Sequence, residues 1–245
     1  MTNDDETVGT LLSRREALAI VAGSSALLAT GPLHAAPTGR VRLPACVVRP
    51  AQTEGPYFLD RMLERSDIRG EPSDNSTMPG KRLALNFQVS RVVPGGCTPL
   101  SNAVVDIWQC DAAGVYSGVR DISDQFDTTG KQFLRGHQRT DAAGMARFVT
   151  IYPGWYPGRA VHIHFKIRTN AEGARGHDFT SQVYFDEKFT DQVYEAAPYN
   201  AKSGRRVLNP ADNIYRSSGG SQLMLTVERA DDGMRALFDV GLQMT

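Results

Sequence analysis

Charge of one sign and cysteine are both scarce in this chain of 245 residues. Its 27 basic and 27 acidic side chains leave no formal net charge, so the composition points to neither nucleic acid nor an acidic partner. There are three cysteines and no Cys-x-x-Cys pair, which argues against a structural zinc site. Because 41% of the residues are hydrophobic, the chain can bury one good core. These limits favour a globular protein with mixed surface charge.

The cysteines, Cys46, Cys97 and Cys110, allow at most one internal disulfide. Cys97 lies in a predicted turn and Cys110 at the far end of the following strand, about 20 Å away at ~3.3 Å per residue. A disulfide needs Cα atoms within about 7 Å, so this pair is disfavoured unless the chain folds back. Cys46, on a flexible arm, is the freer partner, and the pairing stays open.

An apolar run near the N-terminus, from Ala17 to Ala29, is too short for a comfortable transmembrane helix. Ser13-Arg14-Arg15 precedes it, and small residues around Ala35-Ala36 follow it. This pattern is typical of a twin-arginine export signal. An amphipathic N-terminal helix is the weaker alternative, since Leu18 to Leu28 carries no charge. We therefore expect residues 1–36 to direct export to the periplasm or beyond, and no membrane span in the mature protein.

Beyond this segment, alternating apolar and polar residues predict a β-rich domain. Strands are predicted at Leu83 to Ser90, Ala103 to Gln109, Met145 to Ile151, Val161 to Arg168, Ser181 to Phe185 and Leu223 to Arg229. Only Asp186 to Ala197 looks helical. We expect an all-β fold, an antiparallel β-sandwich with long functional loops over residues 81–245. Residues 37–80 should form an irregular N-terminal arm that contributes to the functional pocket.

The segment His162-Ile163-His164-Phe165 is the clearest chemical signal in the chain. Alternate residues of a strand share a face, so the two histidines should stand ~7 Å apart on one side. Val161, Ile163, Phe165 and Ile167 would face the core. The pair could be an ordinary surface feature, but its surroundings favour a metal site.

The side chains near the two histidines indicate which metal they would bind. No well-placed Asp or Glu completes a site of two histidines and one carboxylate, the kind that holds ferrous iron. Three tyrosines, Tyr116, Tyr152 and Tyr156, lie nearby instead. Phenolates are hard anionic donors, so two of them with two imidazoles favour ferric iron, Fe(3+). A zinc or copper site that uses the histidines alone is the alternative.

Several blocks of sequence together resemble the intradiol ring-cleavage dioxygenases, the family of catechol and protocatechuate 3,4-dioxygenases. The resemblance runs from about Cys46 to Arg229. In chain order the blocks are Gln52-Thr53-Glu54-Gly55-Pro56-Tyr57, Val105 to Asp111 with Gly114-Val115-Tyr116, Arg139-Thr140-Asp141, and Tyr152 to Pro157 leading to His162-Ile163-His164-Phe165. Four blocks in the right order are a highly specific signature. The interval between Tyr156 and His162 is short compared with protocatechuate-specific subunits.

The resemblance implies a role for each matching residue. The four ligands of ferric iron would be Tyr116, Tyr156, His162 and His164. Arg159 matches an arginine that faces the bound ring, and Gln182 a glutamine behind the metal ligands. Gly55-Pro56-Tyr57 resembles a segment that lines the substrate pocket, whereas Tyr152 falls outside the pattern and is interpreted as strand-end packing.

The resemblance also implies a reaction. The partners would be a small aromatic diol and dioxygen, and the ring would open between its two hydroxylated carbons to give a cis,cis-muconate. Tyr156 would leave the metal and take a proton from the diol. Arg159 would stabilise negative charge on a ring carbon. The natural diol stays open among catechol, protocatechuate, hydroxyquinol and chlorinated rings, and a homo-oligomer is compatible with the sequence.

Other interpretations stay open at this point. A non-catalytic β-sandwich binding module of the transthyretin-like kind would be expected to lack at least one of the four ligands. Arg159 could instead pair with a surface carboxylate. We expect His137 and His177 to be surface loop residues and Trp108 to belong to the sandwich core.

Overall fold

Alternating burial along one long strand, Arg82–Val93, shows how the sequence builds the core. Leu83, Leu85, Phe87 and Val89 are fully buried, whereas the residues between them are partly exposed. Successive side chains of a strand point to opposite faces, so one face of this strand packs inward along most of its length.

The computed structural model describes residues 47–121, 125–169 and 176–244. Its strands are β1 (Gly70–Glu71), β2 (Ser76–Thr77), β3 (Arg82–Val93), β4 (Gly96–Pro99), β5 (Val104–Trp108), β6 (Arg135–Arg139), β7 (Met145–Ile151), β8 (His162–Thr169), β9 (His177–Phe185), β10 (Met224–Leu225), β11 (Val227–Ala230) and β12 (Gly233–Leu242). Its helices are α1 (Glu187–Tyr194), α2 (Asn213–Ser217) and the short 3-10 turns Tyr199–Ala201, Asn209–Ala211 and Gly220–Leu223.

Two five-stranded sheets form a β-sandwich, as the sequence predicts. One sheet has the order β10-β9-β8-β5-β6, and the other the order β11-β12-β3-β4, with β7 also paired to β3. Most neighbours are antiparallel, but β12 runs parallel to β3 and β10 parallel to β9. Strand β8 lies between β5 and β9, in the middle of its sheet.

Aromatic side chains from both sheets meet in the core. Phe87 of β3 contacts Phe148, Phe165 and Phe238, with ring centroids 6.2, 5.2 and 6.0 Å away. Phe165 belongs to β8, whose apolar side also buries Ile163 and Ile167. The core therefore anchors β8 by one face and leaves its other face for the site.

The chain before β3 is largely irregular over the described residues from 47 onward. It touches the sandwich through isolated bridges, such as those from Val48 to Gly241 and from Asp67 to Val149. This part of the chain belongs to the compact unit Arg42–Thr245. None of the helices in the described ranges is long and apolar enough to cross a membrane.

The sequence analysis does not predict β6, β12, α2 or the short strands β1, β2 and β4. Strand β12 has the alternation of a half-buried strand, with Met234, Ala236 and Phe238 buried. Charged residues and two glycines interrupt the apolar pattern of β12, so the sequence does not clearly indicate a strand there. Helix α2 has five residues and is too short to show a helical period.

The expectation for His137 is wrong, and the one for His177 is partly wrong. His137 lies on β6 and is only 2% exposed, because the chain before β3 covers it and pairs there at Glu64. His177 begins β9 and is partly exposed, so it belongs to a strand rather than a loop.

Cys97 is disulfide-bonded, whereas Cys110 is a buried free thiol. A bridge between these two cysteines is therefore excluded, in agreement with their separation along the strand. The expected partner Cys46 and the predicted export signal over residues 1–36 lie outside the described residues.

Candidate active site

Strand β8 presents two buried histidines on the face opposite the core. His162 and His164 are 2% and 1% exposed, and their Nε2 atoms lie 3.0 Å apart. The alternation that buries Ile163 in the core therefore brings both imidazoles together, as the sequence predicts. Two ring nitrogens this close can contact a single small cation.

The ring of His162 has a fixed tautomer. Its Nδ1–H donates to the carbonyl oxygen of Ala160 at 2.6 Å, because a carbonyl can only accept. Burial, together with the nearby Arg159 guanidinium, lowers the pKa of His162 to about 3, so the ring is neutral at physiological pH. Its Nε2 therefore carries the lone pair, which is the form that can bind a metal.

The His164 ring is held largely by packing, because its Nδ1 has no hydrogen-bond partner among the described residues. Trp108 stacks on the ring with centroids 4.9 Å apart and planes 7° apart. On another side, Gly55 leaves so little room that an added Cβ would lie 3.3 Å from His164 Cε1. Burial and the adjacent His162 lower the pKa of His164 well below its ordinary value.

The expectation that Trp108 belongs to the sandwich core is therefore wrong. The residue is buried, but it lies outside the core between the sheets. It packs with Cys110 and Tyr116 in a separate small cluster beside the site. The indole forms the wall behind His164.

Two tyrosines complete the group of possible metal donors. The Tyr156 hydroxyl lies 3.2 Å from His162 Nε2. The Tyr116 ring packs edge-on against Tyr156 and His164, with centroids 5.6 and 6.4 Å away. Its hydroxyl is buried and lies near that of Tyr156, but it makes no hydrogen bond of normal geometry among the described residues. Burial raises the pKa of both phenols above the ordinary value, and their proximity raises that of Tyr116 further.

Tyr152 lies elsewhere, in the main core cluster. Its hydroxyl is hydrogen-bonded to Thr190 Oγ1 of α1 at 2.7 Å. Because that bond satisfies the phenol away from the histidines, the structure places Tyr152 in packing at the strand end, as predicted.

Among the described residues, no group of three or more His, Cys, Asp or Glu side chains could hold a metal ion. A metal bound by His162 and His164 therefore needs the tyrosine oxygens. Buried polar atoms normally have a partner, so the Tyr116 hydroxyl should bind a further group. As a phenolate, its oxygen could coordinate a cation. The residues thus fit a hard cation that accepts both imidazole nitrogen and phenolate oxygen.

Arg159 lies behind the histidines in a buried polar network. Its Nε donates to Asp212 Oδ2 at 2.9 Å, and its Nη2 to Gln182 Oε1 at 2.5 Å. Gln182 in turn donates to the carbonyl oxygen of Thr53 at 3.1 Å. The predicted alternative, a pairing with a surface carboxylate, does not hold, because the Asp212 side chain is completely buried.

The sequence analysis does not identify Asp212 as a residue of the site. Burial raises its pKa, but the Ala160 N–H and the Arg159 guanidinium outweigh that effect and hold the pKa below the ordinary value. The only local sign of this residue is its capping position before α2, where its side chain accepts from Ile214 and Tyr215 N–H groups.

A cavity of about 240 Å³ opens beside Tyr156. It is lined by Tyr57, Ala113, Gly114, Val115, Asp121, Gln125, Phe126, Tyr156, Pro157 and Lys202. Tyr57 stacks on Tyr116 with centroids 4.5 Å apart, and its hydroxyl donates to Asp121 at 2.7 Å. Of the predicted lining segment, Tyr57 reaches this cavity, whereas Gly55 packs on His164 and Pro56 is exposed.

Comparison with known proteins agrees with this geometry. A family model described as Dioxygenase matches residues 53–209. The protocatechuate 3,4-dioxygenase beta chain of Burkholderia cepacia is 34% identical over 164 residues, which are 62% of this chain and 63% of that protein. A chlorocatechol 1,2-dioxygenase of Pseudomonas sp. (strain P51) is 30% identical over 156 residues, 56% of this chain and 55% of that protein. The matched region thus spans less than two thirds of these relatives.

A solved structure, an intradiol ring-cleavage dioxygenase from Tetranychus urticae, superimposes on 81% of this chain and 95% of its own with a TM-score of 0.68 and 30% identity. The family model covers more than half of the chain and includes all the candidate ligands. The chain therefore belongs to the intradiol ring-cleavage dioxygenase family.

Proposed function

We propose that the protein binds one ferric ion through Tyr116, Tyr156, His162 and His164. The observation that carries this proposal is the buried Tyr116 hydroxyl beside a converging pair of imidazoles, in a chain whose described residues contain no group of three or more His, Cys, Asp or Glu that could hold a metal ion. Two phenolates neutralise much of the charge of a trivalent cation, which favours ferric over divalent ions. A zinc or copper site that uses the histidines alone would leave the buried Tyr116 and the partly buried Tyr156 without a role.

We propose that the substrate is a catechol-type diol, cleaved by dioxygen between its two hydroxylated carbons to give a cis,cis-muconate-type product. Two relatives are named for their action on protocatechuate and chlorocatechol, which supports a catechol ring. When bound, ferric iron would supply a Lewis acid that the two diol oxygens can chelate. The cavity beside Tyr156 offers the place from which a small ring could approach.

The residues of the chain would divide the remaining work. The Tyr156 hydroxyl contacts His162 and the residue lines the cavity, so in its phenolate form it would accept one proton from the incoming diol. The Arg159 guanidinium, held by Gln182 and Asp212, would stabilise negative charge that develops on the ring. Tyr57 and Trp108 would keep the two sides of the site packed.

Metal content and colour test the iron proposal. The purified protein should hold close to one ferric ion per chain and show a tyrosinate-to-iron charge-transfer band. Tyr116→Phe should lose most of the iron, because it removes an anionic donor. Tyr152→Phe is the matched control, since that phenol bonds to Thr190 away from the site, and it should keep both iron and colour. Stoichiometric zinc in a colourless protein would overturn the proposal.

Product analysis tests the reaction. A panel of catechols assayed by oxygen uptake should identify the preferred ring, and catechol should yield cis,cis-muconate that contains both atoms of labelled dioxygen. A yellow semialdehyde would mean cleavage outside the hydroxylated carbons. Iron binding without turnover of any catechol would favour a binding module over an enzyme.

We also propose export through the twin-arginine pathway, on the sequence Ser13-Arg14-Arg15 and the apolar run that follows it. Replacement of Arg14-Arg15 by Lys-Lys keeps the charge but removes the paired guanidinium groups. Fractionation should then find the precursor in the cytoplasm. Normal export of this variant would argue for another route.

A further inference from the structure

The carboxylate of Asp212 lies at the junction of two residues of the candidate site. Its Oδ2 accepts from Arg159 Nε and from the Ala160 N–H, both at 2.9 Å. Its Oδ1 accepts from the N–H groups of Ile214 and Tyr215, at 2.7 and 3.2 Å, and so caps α2. One completely buried side chain thus fixes a helix start and two consecutive residues of the loop before β8.

The first link runs from Asp212 to the arginine. Asp212 holds Arg159 at Nε, and Gln182 holds it at Nη2 at 2.5 Å. Two charge-assisted contacts at different nitrogens of a rigid planar group fix both its position and its plane. Without the carboxylate, Gln182 and the more distant Tyr184 hydroxyl, at 3.4 Å, would remain to orient the guanidinium.

The second link runs from Asp212 through a peptide unit to a histidine. Asp212 binds the N–H of Ala160, and the carbonyl of the same residue accepts Nδ1–H of His162 at 2.6 Å. The orientation of a ligating histidine is set by the hydrogen bond that its other nitrogen makes. The carboxylate therefore acts on the His162 ring through Ala160.

We propose that Asp212 is a positioning residue of this site, which aims the Arg159 guanidinium and fixes the ring of His162 at the same time. This inference rests on the proposed function for its kinetic consequences. Asp212 lies beyond residues 53–209, the part of the chain that the family model matches.

Asp212→Asn separates these links from helix capping. An asparagine oxygen can still cap α2, but its amide nitrogen cannot accept from Arg159 or from Ala160. With iron-loaded protein and the best catechol of the panel, we expect kcat to fall about 10- to 100-fold with little change in KM, and iron affinity to fall by a similar factor.

Asp186→Asn is the matched control. Asp186 caps α1 by accepting from the Phe189 N–H at 2.8 Å, and it is exposed. This variant should leave kcat and iron affinity unchanged while it tests the cost of altering a capping carboxylate. Equal effects of the two variants would show that Asp212 acts through helix stability and would overturn the proposal.

The Arg159→Ala background distinguishes the two links. If Asp212 acts on turnover through the arginine, Asp212→Asn should lower kcat no further once Arg159 is absent. It should still weaken iron binding, because the link through Ala160 to His162 remains. Additive losses of kcat in the double variant would contradict the first link, and unchanged iron affinity would contradict the second.

A measurement on the iron-free protein makes the inference independent of the proposed function. In nitrogen-15 NMR, Arg159 Nε–H and His162 Nδ1–H should exchange slowly with solvent in the parent protein and faster in Asp212→Asn. Unchanged exchange of both protons in the variant would overturn the positioning role. An iron-treated parent protein without a tyrosinate band would instead contradict the proposed function alone, because the exchange data would still decide the role of Asp212.

Discussion

Gly55 offers a precise test of how the chain positions His164. It has a φ of +72°, and an added Cβ would lie 3.3 Å from His164 Cε1 and 3.8 Å from Nε2. The first distance is tighter than ordinary contact, so the ring or the loop must shift by a few tenths of an ångström. Trp108 stacks on the face of the ring and restrains its tilt. Gly55→Ala should therefore displace the ring within its own plane and move Nε2.

Two effects of Gly55→Ala can be separated by magnitude. A left-handed backbone costs alanine about 1–2 kcal/mol, and the reduced freedom of the unfolded chain offsets about 0.4–1 kcal/mol of this. Gly55→Ala should then lower the free energy of unfolding by roughly 1 kcal/mol. Iron affinity should fall about tenfold, at the low end of the 10- to 100-fold cost of disturbing the support of a metal ligand.

Gly130→Ala is the matched control, because Gly130 has a φ of +88° and no described atom within 4 Å of its added Cβ. Urea denaturation should show similar losses of unfolding free energy for the two variants. Titration of the charge-transfer band against a competing chelator should show weaker iron binding in Gly55→Ala alone. Equal iron affinities in the two variants would refute the idea that the Gly55 contact positions His164.

Three further outcomes are expected. Arg159→Ala should lower kcat about 10²- to 10³-fold while iron content and colour persist, because in the proposed mechanism its charge would act on the substrate ring; loss of iron would contradict this role. Phe87→Ala should cost about 3–5 kcal/mol of unfolding free energy in urea, whereas Leu237→Ala, at a side chain 48% exposed, should stay within about 0.5 kcal/mol. Burial raises the pKa of Glu71, but three backbone N–H groups outweigh this effect and hold the pKa below the ordinary value. The ionised carboxylate should therefore stabilise the fold fully above the unfolded pKa of about 4.3. This stabilisation should be lost as the pH falls through the lower pKa of the folded state. Urea denaturation of Glu71→Gln across this range should show a weaker pH dependence than the parent protein.

The strands that could be predicted from sequence are those whose apolar pattern is clear and is bounded by turn residues. Met145–Ile151 was predicted with its observed bounds, and Arg82–Val93 was recognised over most of its length. Strand β12 was missed, although it lies beside β3 at the centre of its sheet. Its parallel pairing with β3 joins residues about 150 positions apart in sequence. Local periodicity carries no information about such a contact.

Local sequence patterns identify the candidate metal ligands of the site but not the residues that position them. His162 and His164 share a strand face, so their convergence follows from the period of two. Trp108 stacks on His164 because β5 pairs with β8, which sequence alone does not show. Asp212 is 53 residues from Arg159 and shares no local pattern with it.

The pairing with Asp212 also explains how an arginine can remain beside two buried imidazoles. A positive charge there disfavours protonation of the histidines, and Arg159 lowers the pKa of both. Burial alone would lower the pKa of Arg159 as well, but the nearby Tyr156 and the Asp212 carboxylate raise it overall. An uncompensated guanidinium in this position would be costly, because a buried charge needs a partner. The carboxylate therefore does more than orient the group, because it allows a fixed positive charge to stay next to neutral histidines. The proposed metal binding requires the neutral imidazoles, and the proposed stabilisation of an anionic ring requires the positive charge.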